Sequence, residues 1–71
     1  MSKFEQYAEA YEWDVNADLP TLHEYLNKLG REQTYAFAIG LDDTVKLIEK
    51  AINILEEEIE NRELQDSGYH H

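Results

Sequence analysis

The sequence predicts an all-α fold, a small three- to four-helix bundle built on one long C-terminal helix. Three observations carry that expectation. Leu41, Val45, Ile48, Ile52, Leu55 and Ile59 recur at steps of four and three, the spacing that keeps one helix face buried. Upstream, Ser2 with Glu5 and Asp18 with Pro20 are helix-start signals. Only one short stretch, Tyr35 to Ile39, alternates in the manner of a strand, and a lone strand has nothing to pair with.

In the first expected helix, about residues 3–13, Ser2 and Glu5 form a capping box in which each side chain satisfies a free backbone N–H. Phe4, Tyr7, Ala8 and Tyr11 share one face, while Glu5, Glu9 and Glu12 form an acidic ridge on another. Trp13 to Asp18 breaks the pattern with turn-forming Asp and Asn residues. Asp18 reads as an N-cap, with Pro20 in the first turn, where its missing N–H costs nothing. Leu19, Leu22, Leu26 and Leu29 then give a second helix, about 19–29, with Gly30 placed to end it in a left-handed conformation.

Residues 31–39 fit a strand by alternation and a helix by their alanines, Glu32 and Gln33, and a third short helix is expected. Gly40 closes it. Asp42 or Asp43 caps the last helix, expected over 43–65 and about 33 Å long. Leu47, Ala51 and Ile54 widen its apolar stripe beyond a two-stranded seam. The expected organisation is a single helical domain over 1–66 with a flexible tail at 67–71. Phe4, Tyr7, Tyr11 and Phe37 are the expected aromatic core, and Trp13 the expected exposed aromatic.

Composition narrows the function classes. A 71-residue chain without cysteine has no disulfide or thiolate metal site and sits near the size at which one core is marginal. No apolar run approaches the roughly 20 residues of a membrane span, and the start lacks the basic-then-apolar order of a secretion signal, so a cytoplasmic location is expected. Sixteen acids face six bases, a net charge of −10. Residues 1–33 hold seven acids and three bases, and residues 34–71 hold nine and three. Such a chain repels nucleic acid and anionic lipid and is steered toward basic protein surfaces.

The placement of the acids is informative. Glu56, Glu57, Glu58, Glu60, Glu63 and Asp66 crowd the C-terminal half of the last helix, opposed only by Arg62. A helix C-terminus is partially negative, so carboxylates there oppose the local field. Glu56 and Glu60 add a like-charge pair at i,i+4, and Glu58 with Arg62 is the compensating pair. Helix propensity favours glutamate while the dipole disfavours it, and a binding role resolves that conflict.

Enzymatic sites are not indicated. His23 lies mid-helix, His70 and His71 are in the tail, and Ser2 and Ser67 are a cap and a tail residue. There is no phosphate-binding glycine loop. Glu57, Glu60 and Glu63 offer at most weak, incidental divalent binding, so no cofactor or metal is expected. The expected function is therefore a small acidic protein-binding modulator or inhibitor. In its sharpest form its carboxylates mimic nucleic-acid phosphates and occlude a basic surface on a nucleic-acid-binding partner, a role familiar among small phage-like proteins. The expected partner-binding residues are Glu5, Glu9, Glu12, Trp13, Asp14, Glu56, Glu57, Glu58, Glu60 and Glu63. Two alternatives stand beside it. One is a homodimeric helical adaptor, because the wide stripe exceeds what the preceding residues cover. The other is a helix-turn-helix regulator, with the turn at Leu29-Gly30 and Arg31, Gln33 and Thr34 offered to DNA.

Overall fold

The computed structural model describes residues 2–67, which form three helices: α1 Lys3–Tyr11, α2 Leu19–Ala38 and α3 Asp42–Ser67. All regular structure among the described residues is helical, and residues 31–38 are helix rather than strand. The helix count is three because α2 runs without a break through Gly30. The sequence placed a C-terminus there from the local preference of glycine, which costs about 1 kcal/mol inside a helix. Packing on α3 overrides that cost. Leu19, Leu22, Leu26, Leu29, Gln33 and Ala36 form one stripe of buried and half-buried positions that continues straight across Gly30. With no turn at Gly30, the helix-turn-helix arrangement is absent.

On α3 the matching stripe is Val45, Ile48, Ile52, Leu55, Ile59 and Arg62. Both stripes step by three and four, the pattern of a coiled-coil seam, and α2 and α3 pair as a helical hairpin along it. Leu22 and Leu55 are completely buried at its centre. Gln33 is the polar member of the seam on α2, and its Nε2 donates to the Val45 carbonyl at 3.4 Å.

The hairpin turn closes on Gly40, whose φ of +80° is the left-handed conformation expected of it. The Leu41 N–H bonds to the Ala36 carbonyl at 2.9 Å and the Gly40 N–H to the Phe37 carbonyl at 3.1 Å, the two bonds of a Schellman cap. Asp42 and Asp43 both lie inside the first turn of α3, where their charge suits the positive helix end. Ser67 belongs to α3, and the rest of the expected tail lies outside the described residues.

The helix α1 packs on α3, and its start is the expected capping box: the Glu5 N–H donates to Ser2 Oγ and the Ser2 N–H to Glu5 Oε1, both at 3.1 Å. Phe4 reaches the common core. Because α1 is only nine residues long, it covers one half of the hairpin and leaves the other half bare. The covered half, containing both chain ends, is called the base below, and the bare half around the turn is called the tip. The molecule measures 48 × 22 × 16 Å, and its radius of gyration of 13.5 Å exceeds the roughly 11 Å of a compact chain of this length.

Candidate functional site: an acidic base around an aromatic stack

One cation holds the base together. Arg62 pairs with Glu58 at 2.8 Å, donates to the Val15 carbonyl at 2.8 Å and to the Ala17 carbonyl, and sits 5.7 Å from the ring centre of Phe4. It thereby ties α3 to the 12–18 loop and to α1 with a single planar fork, a role its five fixed donors suit. Glu58–Arg62 is the one ion pair among the described residues. Glu58 thus has a structural role, half-buried beside its partner, unlike the other expected binding acids of α3.

Trp13 is corrected as well. Instead of standing free, it is half-buried in a stack of rings: 6.2 Å from Phe4, 5.1 Å from Tyr11 and 6.0 Å from Tyr25, all near-parallel. Tyr7 extends the stack behind Tyr11 at 6.3 Å. The Tyr25 hydroxyl accepts from the Asp14 N–H at 3.3 Å, fixing the loop over α2. Asp14 itself accepts from the Asn16 N–H at 2.9 Å, an Asx turn that accounts for it structurally. Tyr11 is the exposed margin of the stack rather than core, and burial first, then Tyr7 and Glu32, push its hydroxyl upward in pKa. Phe37, also expected in the core, is 73% exposed at the tip.

The remaining acids are exposed, but they do not form one plate. With Ile48, Leu55 and Ile59 pointing into the seam, 3.6 residues per turn direct Glu56, Glu60 and Glu63 to the flank of α3 away from α1. Glu49 continues that row toward the tip. Glu57 lies in the outer groove between α3 and the start of α1, with Ser2, Lys3, Phe4, Ile54 and Asn61. Glu5 and Glu9 stand on exposed α1. Glu12 lies past the end of α1 as its left-handed cap, at φ 60°, and lines a groove with Tyr11, Trp13, Tyr25, Lys28 and Glu32. The acids therefore surround the base as a collar on opposite sides of α3. Sequence reasoning missed Glu32 and Tyr25 as members of the aromatic groove, because their neighbours come from α1 and the loop. The heptad steps of α2 were the available signal.

Ser2 lowers the pKa of Glu5 by donating to its carboxylate from the backbone N–H and from the hydroxyl, and Thr21 lowers that of Asp18 at the start of α2. Among the described residues no group of acids or histidines has the geometry to hold a metal ion, and no helix is long and apolar enough to cross a membrane. Comparison with known proteins supplies no precedent for this arrangement: no protein-family model, no curated protein and no solved structure matches the chain.

Proposed function

We propose that the chain is a small acidic binding protein whose base captures a basic protein surface, without catalysis. The observation that carries this reading is the charge partition. Residues 31–50, which include Glu32 and Lys50 at the boundary with α1, hold four acids and three bases, a net of −1, so residues 1–30 and 51–71 hold twelve acids and three bases and −9 of the total −10. Among the described residues those carboxylates are nearly all solvent-facing, and only Glu58 is paired with a cation. Concentrated charge of one sign on a small rigid body steers encounter with a surface of opposite sign. In this reading α3 is the scaffold of the bundle: its seam side holds the fold and its outer sides hold the charge. The row Glu56, Glu60 and Glu63 and the α1 acids Glu5 and Glu9 bind as two faces of a collar, which suits a concave basic cleft. A nucleic-acid-binding groove is such a cleft, and occluding it is the inhibitory form of the proposal.

Affinity capture from a lysate with elution by rising salt tests the reading. Captured proteins should be basic and should release steeply as salt screens the encounter. Glu56, Glu60 and Glu63 changed together to Gln should release them at lower salt, as should Glu5 and Glu9 changed to Gln. Added nucleic acid should displace the chain if the cleft is a nucleic-acid site. Capture unaffected by salt and by both sets of substitutions overturns the proposal.

A further inference from the structure

The tip is built differently from the base. Tyr35 is 67% exposed and Leu47 60% exposed, and Ile39 and Leu41 are exposed at the turn. Tyr35 on α2 and Leu47 on α3 fall on the flank that α1 occupies farther down, so they are the bare continuation of its seat. Along that flank of α3, Asp43, Leu47, Lys50 and Ile54 follow at steps of four, three and four. Among the described residues the Asp43 and Lys50 side chains make no ion pair.

We propose that this flank binds a second copy of the chain, antiparallel, with the two Leu47 side chains on the twofold axis. The charge pattern is self-complementary about that axis. Asp43 lies one turn, about 6 Å, to one side of Leu47, and Lys50 about 4.5 Å to the other. A twofold operation therefore sets each Asp43 beside Lys50 of the other copy, the reciprocal pairing that a twofold interface requires. Register is fixed a second time by shape. Leu41 precedes Leu47 by six residues and Ile54 follows it by seven, so the apolar turn of one copy meets the groove lined by Lys3, Tyr7, Lys50, Asn53 and Ile54 of the other. Contact through the tips also keeps the two −9 bases apart, since residues 31–50 carry only −1. Covering Tyr35, Ile39, Leu41 and Leu47 in both copies buries on the order of 1,000 Å², where stable interfaces begin.

Sedimentation velocity of the purified chain, with no other protein present, tests the proposal independently of any basic partner. From about 5 to about 500 μM the wild type should pass from monomer to dimer, as weak interfaces of this size do. Leu47→Glu should weaken association by about tenfold or more, because it places a charge at an apolar contact. Asp43→Lys and Lys50→Asp should each weaken it, and the double variant Asp43→Lys/Lys50→Asp should recover it by restoring both pairs. All three positions are exposed, and circular dichroism should show the helices unchanged. A wild type that is monomeric throughout overturns the proposal. So does a dimer indifferent to Leu47→Glu, or a double reversal no better than either single one.

Discussion

At the scale of single residues, two positions have their backbone chemistry reversed. Gly30 occupies the interior of α2, where a Cβ would meet nothing within 4 Å, and Thr34 Oγ1 bonds back to its carbonyl at 3.0 Å. Glu12 takes φ 60°, a conformation that costs an L-residue roughly 1 kcal/mol. Gly30→Ala should therefore stabilise the fold by about 0.5–1 kcal/mol and Glu12→Gly by about 1 kcal/mol, read as increased urea midpoints. Arg62 is the opposite case, a residue with no adequate replacement. Lys at this position keeps the charge but cannot serve Glu58, Val15 and Ala17 together. Arg62→Lys should cost about 1–3 kcal/mol, the range of charge-assisted hydrogen bonds, with a change in Trp13 fluorescence as the loop loosens.

Elements explain which parts of the fold were readable. The Ser2–Glu5 box, the Asp18 cap and the Gly40 terminator were legible because each is a bargain among near neighbours in the chain. Gly30 misled because the decisive contacts of α2 lie on α3, beyond the hairpin turn. Trp13 and Phe37 were exchanged between core and surface for the same reason: Trp13 finds Phe4 and Tyr25 only after folding, and Phe37 falls with Gln33, Thr34 and Val45 on the flank of the hairpin that α1 does not cover. Most acids of the collar, Glu5, Glu9, Glu12, Glu56, Glu57, Glu60 and Glu63, were singled out in the sequence, but their division between two sides of α3 needed the seam to be known. The Asp18 cap also gives α2 a pH dependence. Its folded-state pKa is lowered, so its stabilisation is present above the unfolded value near 4 and is lost as pH falls through the folded value. Melting temperature should fall on acidification below about pH 4. Asp18→Asn, which keeps an acceptor for the Thr21 N–H, should flatten the part of that fall due to the cap, whereas Asp18→Ala should lower stability at neutral pH as well.

At the scale of the whole molecule, a net charge of −10 on 71 residues works against compaction. With one ion pair among the described residues to weigh against twelve acids in the base, screening should remove more repulsion than attraction. Raising sodium chloride from about 10 mM to about 150 mM shortens the Debye length from about 30 to about 8 Å and should raise the melting temperature. A melting temperature that falls with added salt would show that specific pairs, not net repulsion, dominate the fold.

The shortness of α1 has a consequence for valency. Because it cloaks one end of the hairpin and stops, the 48 Å molecule is left with two chemically unlike ends. Joined about Leu47, two copies would hold their charged ends outward, with the far ends of the two α3 helices about 60 Å apart, since Ser67 lies about 30 Å along the helix from Leu47. Such a pair is a bivalent strut, and its first attachment raises the effective concentration of the second. Two basic surfaces at that separation would be bridged with an avidity that neither attachment supplies alone. Lengthening α1 by two turns would abolish the bridging and leave single attachment intact.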